Sequence, residues 1–421
     1  MTSPELTVVV GQGYVGLPLA QAMTRAGLLV RGLETRSDVV EGLNAGKSHV
    51  DDLTDAQISA MVSEGYQATS DTAIIAEARN VVICVPTPLG ESGEPDLAAV
   101  RSASTAIAQH LRPGTLVILE STSYPGTTEE VVAPLLEASG LMPGVDFFLA
   151  FSPERIDPGN PTYGLTNTPK VVGGVNPEST EAAASFYGHF VDRVVRTKGT
   201  REAETAKLLE NTYRHVNIAL VNEMARFCAD MGIDIWDVIA AASTKPFGFQ
   251  AFHPGPGVGG HCIPIDPNYL SFEVRRRLGY PFRFVELAEE INHSMPNYIV
   301  GRLQDALNNM GKPLKGTTVL LLGVAYKANI ADDRESPATP IATLLEAKGA
   351  IVEYHDPLIA QWTIGSTTRT RVPDLPTALE TAHATVLLQA HSAYDIDSLC
   401  EASALFFDTR GVSTHPKAVR L

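Results

Sequence analysis

Cysteine is scarce in this sequence, and its scarcity excludes several classes at once. Four cysteines, Cys84, Cys228, Cys262 and Cys400, are spread over 421 residues with no CxxC pair. A disulfide scaffold needs a denser framework, and a thiolate zinc site needs paired ligands at short spacing, so no metal is expected. Positive charge is scarce too: 32 lysines and arginines stand against 48 acids, for a formal charge of −16. An acidic surface repels polyphosphate backbones and anionic lipid at long range, so neither a nucleic-acid nor a membrane partner is expected. A small anionic ligand stays open, because local cations and helix N-termini can bind it inside a negative protein. No apolar run approaches the roughly 20 residues that span a bilayer, and no basic-then-apolar segment precedes the first strand. The expectation is a reduced, soluble, cytoplasmic protein.

What is present is ordinary globular material, 44% hydrophobic and 19% charged, long enough for two or three domains. Residues 6–10 are apolar and β-branched, 11–16 make a glycine-rich turn, 17–26 have helical composition, and 28–33 read as the next strand. That is a β-α-β unit, whose parallel strands need a crossover. Further buried strands are expected at 80–85, 115–119 and 147–150. Residues 201–231 hold almost no turn formers, which predicts a long helix able to span a domain or form the core of a dimer. A Gly/Pro loop follows at 253–267, then helical composition to about 309. The opening pattern returns at 317–322 in TTVLLLGVAYK, with a helix at 336–348 and strands in AIVEYHDP and ATVLLQA. The fold class is therefore α/β: two Rossmann-like, doubly wound parallel-sheet domains joined by a long central helix. The expected segments are 1–200, 201–312 and 313–421.

Gly11-Gln12-Gly13-Tyr14-Val15-Gly16 fits GxGxxG. The first glycine turns tightly, the second lets a pyrophosphate approach, and the third packs helix on strand. Alone the motif is weak, and a ligand-free turn explains it equally well. Here it follows a strand and opens a helix, and Glu34 ends the next strand. Glu34 would accept both ribose hydroxyls and repel a 2′-phosphate, which favours NAD over NADP, although Arg36 lies close by. The segments VICVPTPL and LESTSYPGTT each leave a strand for a loop, where open α/β sheets place ligands.

Cys262 lies in HPGPGVGGHCIPIDP, with four glycines crowding its approach so that backbone amides can come close to a ligand. A helix starting here would also stabilise a thiolate. The plainer reading of an isolated cysteine, a small buried hydrophobe, fits Cys84 and Cys228 and fits Cys262 poorly. His253, His261 and Cys262 offer no spacing that suits zinc. Lys207 and Asn211 share one face of the long helix, which by itself describes any solvated stripe.

Taken in order, GQGYVG, VPTP, ESTSYPGTT, SPER, AKLLENTYRHVNIALVNE, PGPGVGGHC with IPIDP, GVAYK and DDRESP resemble the nucleotide-sugar 6-dehydrogenase family over nearly the whole chain. Its members include the UDP-glucose and UDP-N-acetylhexosamine dehydrogenases, which oxidise a sugar C6 alcohol to a carboxylate and reduce two NAD⁺. The resemblance implies Cys262 as nucleophile, forming a thiohemiacetal and then a thioester. It implies that Lys207 and Asn211 stabilise the oxyanion, that Asp266 and Thr122 hold a water, and that Glu154 of SPER handles proton transfer and thioester hydrolysis. Cofactor contacts would come from Gly11, Gly13, Tyr14, Val15, Gly16, Glu34, Pro86, Thr87, Thr122 and Arg334. The UDP-sugar would meet Glu154, Arg155, Lys207, Asn211, Arg214, Gly259, His261, Lys327 and Arg410. A homodimer through the central helix is also implied.

Several motifs lean toward the N-acetylhexosamine branch: His261 before the cysteine, Arg155 in SPER, and NTYRHVNIALVNE. SPERIDPGN, STKPFGFQAFHPGPG and IPIDPNYL look most like UDP-N-acetylglucosamine 6-dehydrogenases. The N-acetylmannosamine and UDP-glucose enzymes carry an arginine upstream of the cysteine, where this chain has Lys245-Pro246-Phe247-Gly248. UDP-N-acetylmannosamine and UDP-glucose are the alternative substrates. Two other readings differ in kind. One is a one-step hydroxyacid or polyol dehydrogenase with Cys262 incidental, and the other is a non-catalytic nucleotide-sugar binder. The binder should have lost Cys262 or Lys207, and both are present.

Overall fold

The structure is a computed structural model that describes residues 5–90, 94–157, 160, 162–260, 263 and 265–421. His261 and Cys262 therefore lie outside the described residues.

The N-terminal sheet contains β1 (Leu6–Val10), β2 (Leu29–Leu33), β3 (Gln67–Thr69), β4 (Asn80–Ile83), β5 (Leu116–Leu119), β6 (Phe148–Phe151), β7 (Lys170–Gly174) and β8 (Val194–Arg196). Its order is β3-β2-β1-β4-β5-β6-β7-β8. All neighbours pair in parallel except β6 and β7, which the sequence did not reveal. LTVVV, NVVI and LVIL are buried throughout, and almost wholly apolar, because both faces of these strands are covered. Alternate residues serve two cores: Val9, Val82 and Ile118 face one, while Val8, Val81 and Val117 face the other. The chain leaves β1 for β2 on one side and reaches β4 on the other. The strand order thus reverses at β1/β4, the crevice where such sheets bind ligands.

The C-terminal sheet contains β9 (Thr318–Leu322) and β10 (Ile351–His355), followed after a hairpin by β13 (Ala384–Leu387), β14 (Phe406–Asp408) and β15 (Val419–Arg420). It is parallel in the order β10-β9-β13-β14-β15, again with a core on each face. The hairpin, β11 (Gln361–Ile364) with β12 (Thr367–Thr370), was not read from the sequence. It is anchored by Trp362, which is fully buried edge-on against Tyr354.

Between the sheets in sequence runs one helix, Thr200–Asp230, followed by Ile235–Ser243, Asp266–Leu278 and Arg283–Asn309. The chain forms two compact units. The first holds residues 1–210 and 268–280, and the second 211–267 and 281–421. Cys84, Cys228 and Cys400 are free and buried, as small hydrophobes should be. Among the described residues no helix is long and apolar enough to cross a membrane.

Candidate active site

The GxGxxG turn closes with Gly11 N–H donating to the Leu33 carbonyl at 2.8 Å. Each glycine has its own reason. A Cβ on Gly16 would sit 1.9 Å from the Gly11 carbonyl oxygen, so that position is fixed by helix–strand contact. A Cβ on Gly13 would meet no protein atom within 4 Å, and Gly13 is not among the glycines with positive φ. No contact inside the protein requires a glycine there, whereas an approaching pyrophosphate does. The helix Gly16–Arg25 begins at Val15 with no side-chain cap and no acid in its first turn, which leaves amides for an anion. Tyr14 stands exposed beside it. Glu34 accepts from Gln12 N–H at 3.1 Å and from the amides of Thr35 and Arg36 at 2.9 and 3.1 Å. These bonds hold its carboxylate over the turn. Gln12, unremarked in the sequence, is buried and locked by the Val9 carbonyl and the Tyr66 hydroxyl.

Pro86 and Thr87 follow β4 at the same end of the sheet, and the buried Tyr269 hydroxyl donates to the Thr87 carbonyl. Thr122 follows β5, where the Lys207 ammonium donates to its hydroxyl. One turn farther along the same helix, Asn211 Nδ2 donates to Asp266 Oδ2 at 2.5 Å. Asp266 is buried and opens the helix Asp266–Leu278. Sequence reasoning missed Glu204, three residues before Lys207 on the helix. Its buried carboxylate accepts from Gly126 N–H, Thr128 N–H and the Thr128 hydroxyl at 2.6, 2.9 and 2.7 Å, clamping the loop that carries Thr122. Burial pushes its pKa up to about 7 against the pull of those donors. The i,i+3 spacing to Lys207 was the signal available.

Glu154 lies beyond β6, its carboxylate accepting from the Ile156 amide. Behind it sit Lys170, Glu120 and Tyr187, which no local motif singles out. Lys170 opens β7 and is buried 3.0 Å from the buried Glu120 and 3.9 Å from Glu154. Tyr187 donates its hydroxyl to Glu120. Burial raises the pKa of Glu120, with Glu154 adding to the rise and Lys170 opposing it. Burial works against the charge on Lys170, but Glu120 and Glu154 outweigh it and raise its pKa. Arg155, expected at the substrate, is engaged with Glu210 through Nε and Nη2 at 3.2 and 2.8 Å.

In the second unit, the glycines before Cys262 meet protein. A Cβ on Gly259 would lie 2.6 Å from the Glu335 carbonyl oxygen, and one on Gly260, at φ +90°, would lie 2.7 Å from the Tyr326 ring. Crowding there reflects tight packing against residues 326–337, where the sequence suggested room for a ligand. Gly255 N–H donates to Asn222 at 2.9 Å, and Asn222 in turn donates to Asn292 at 2.9 Å, pinning the start of the loop. A cleft of about 480 Å³, lined by Trp236, His253, Gln389, Arg410 and Val412 among others, is of ligand size. Asp408 shapes its rim by accepting the amides of Arg410, Gly411 and Ser413, and Arg410 Nε donates to the Leu388 carbonyl at 2.6 Å. Burial lowers the Arg410 pKa to about 10, still cationic near neutrality. Lys327 lies in the segment after β9, and Arg334 there is hydrogen-bonded to Asp332. Arg214 is exposed on the long helix.

A dinucleotide turn on one Rossmann domain, a cationic cleft on a second, and a lysine and asparagine on the helix between them in sequence define a two-domain nicotinamide-dependent oxidoreductase. Residues 6–191 match the NAD binding domain of the UDP-glucose/GDP-mannose dehydrogenase family, residues 201–294 its central domain and residues 320–415 its UDP binding domain. The chain belongs to that family, with NAD as its cofactor. It is 35% identical over 353 residues to the UDP-N-acetyl-D-mannosamine dehydrogenase of Pyrococcus horikoshii, covering 83% of each chain. It is 34% identical over 416 residues to the NDP-N-acetyl-D-galactosaminuronic acid dehydrogenase of Ralstonia solanacearum, covering 96% of this chain and 95% of that one. The solved structure of the P. horikoshii UDP-D-ManNAc dehydrogenase superimposes with a TM-score of 0.89 at 32% identity, over 99% of this chain and 98% of that one.

Proposed function

We propose that the chain oxidises the C6 alcohol of a UDP-N-acetylhexosamine to the carboxylate, through a thiohemiacetal and a thioester on Cys262. The observation that carries this reading is the pair of hydrogen bonds made from one helix, Lys207 to Thr122 and Asn211 to Asp266. Each bond ties one donor of the helix to a residue that such chemistry uses. Lys207 and Asn211 present donors to the oxyanion that forms when the thiolate adds. Asp266 and Thr122 hold water, and Glu154 takes and returns protons. Bound NAD⁺ would accept hydride from C6 in each of the two oxidations. Covalent capture keeps the aldehyde from escaping between them.

Within the N-acetylhexosamines, the proposed substrate is UDP-N-acetylglucosamine, supported by SPERIDPGN, STKPFGFQAFHPGPG and IPIDPNYL. The names of the relatives support a second reading, the manno or galacto epimer, and share the N-acetyl group with the first. A panel of UDP-glucose and the three UDP-N-acetylhexosamines, followed by NADH release, decides. Fastest turnover on UDP-glucose would overturn the N-acetyl assignment.

The proposed assembly is a homodimer through the long helix. Leu220, Met224, Phe227 and Met231, at helical spacing, are all exposed as one apolar stripe. Phe227→Asp should give a monomer in sedimentation, and an unchanged mass would remove the helix from the interface.

A further inference from the structure

Three adjacent strands bring Glu120, Glu154 and Lys170 to one end of the N-terminal sheet. Glu120 follows β5 and Glu154 lies past the end of β6. Lys170 begins β7, which runs antiparallel to β6 and therefore starts at that same end. One ammonium therefore stands between two carboxylates, 3.0 Å from Glu120 and 3.9 Å from Glu154. The Glu120 side chain is wholly buried, Lys170 is 6% exposed and Glu154 13%. One oxygen of each carboxylate, Oε2 of Glu120 and Oε2 of Glu154, is buried without a hydrogen-bond partner among the described residues. The Tyr187 hydroxyl fills the other oxygen of Glu120, and the Lys170 ammonium also lies 5.1 Å above the Tyr187 ring. Among the described residues the buried Cys84 thiol also faces the cluster, and the neighbouring Arg155 is neutralised by Glu210.

A buried lysine with one acid is a self-sufficient pair. A second acid beside it leaves the cluster one negative charge in excess, which low dielectric disfavours unless a proton enters. Glu154 is the more exposed acid, so proton exchange with the outside runs through it.

We propose that Lys170, held in place by Glu120, is the positioning residue that fixes Glu154 and supplies the counter-charge against which its carboxylate accepts and releases protons. The inference rests on the proposed dehydrogenase reading. In its hydrolytic half, water adds to the thioester carbonyl and the carbon–sulfur bond breaks. The proton leaves the water for Glu154 and returns from it to the thiolate, while the product acid sheds its own proton to solvent. Lys170 neither gains nor loses a proton in this sequence. Its positive charge beside the Glu154 carboxylate is what matters.

The test uses Lys170→Met and Lys170→Arg in the full chain, with NADH followed by rapid mixing and at steady state across pH. Lys170→Met should keep the initial NADH burst and slow steady turnover by roughly tenfold or more, because thioester hydrolysis has lost its base. The acidic limb of its kcat profile should move up by about one pH unit or more, since the ionised carboxylate has lost its counter-charge. Lys170→Arg, which keeps the charge, should restore the limb. The double variant Glu120→Gln/Lys170→Gln removes the inner ion pair as a unit, leaving Glu154, the more exposed acid, as the one charge, and carries the same test if the single variant does not fold. A neutral variant with wild-type limb and steady rate overturns the inference and leaves the dehydrogenase reading standing. If the unsubstituted protein makes no NADH from any UDP-sugar, both fall.

Discussion

The two Rossmann domains begin with the same turn and put it to opposite uses. In the first, Gly11 N–H bonds to the last carbonyl of β2 at 2.8 Å; in the second, Gly323 N–H bonds to the last carbonyl of β10 at 2.9 Å. In each, the next amide donates to the acid that follows that strand, Gln12 to Glu34 at 3.1 Å and Val324 to Asp356 at 2.8 Å. There the likeness stops. Glu34 is only partly buried and keeps its carboxylate at the mouth of the crevice. Asp356 is fully buried, accepts further amides from Ala325, Leu358 and Ile359, and meets His391 Nε2 at 3.1 Å. Gly13, which no protein atom crowds, corresponds to Ala325, which is buried. A helix starts at Gly16 in the first domain, while in the second the next helix waits until Ala338. The second turn has thus been closed into core. The domain matched there is a UDP binding domain, which has no use for a dinucleotide turn.

Breaking the closed turn should have the largest effect on stability. Asp356→Ala strands four amides and His391 in the interior, for an expected loss of about 3 kcal/mol or more in denaturant unfolding, with NAD⁺ affinity little changed. Breaking the open turn should do the reverse. The Cβ of Gly13→Ala meets no neighbour within 4 Å, so the melting temperature should hold while the Kd for NAD⁺ rises by roughly tenfold or more. Loss of stability without loss of binding would show that Gly13 is structural. Glu34→Ala should relax discrimination against NADP⁺, and an unchanged preference would remove its ribose role.

Acid titration sharpens the same contrast. Burial alone would raise the Asp356 pKa, but His391 and the amides outweigh it and hold it below the usual aspartate value. A lowered folded pKa contributes stability that is present above the unfolded value near 3.9 and is lost as pH falls through the folded one. Asp356→Asn should remove that part of the acid slope. Glu204 has the opposite sign, with its pKa raised from 4.5 to about 7. It favours the fold below the unfolded value, and that contribution is lost as pH rises toward 7. Glu204→Gln should flatten thermal stability between pH 5 and 7, the smallest effect of the set.

These contrasts also mark how far the sequence could be read. Strand and turn positions were legible because buried parallel strands are apolar runs with short punctuated ends, and GQGYVG with Glu34 is a local pattern. The antiparallel β7 was not, since KVVGG looks like any buried strand and direction is set by distant partners. Lys170 and Glu120 escaped for the same reason: fifty residues apart, each looks like an ordinary surface charge until the sheet brings them together. Gly259 and Gly260 were legible as special, but their close neighbours, the Glu335 carbonyl and the Tyr326 ring, lie far along the chain and were not. Cys262, where the chemistry is expected to centre, stands outside the described residues, so its role rests on the family and on the neighbours that are described.

The most direct test is the stoichiometry of the complete reaction. With UDP-N-acetylglucosamine or its preferred epimer, the account predicts two NADH for every uronate formed, no free aldehyde, and no uronate from Cys262→Ala. One NADH per sugar with aldehyde accumulating, or uronate formed at the normal rate by Cys262→Ala, would contradict it.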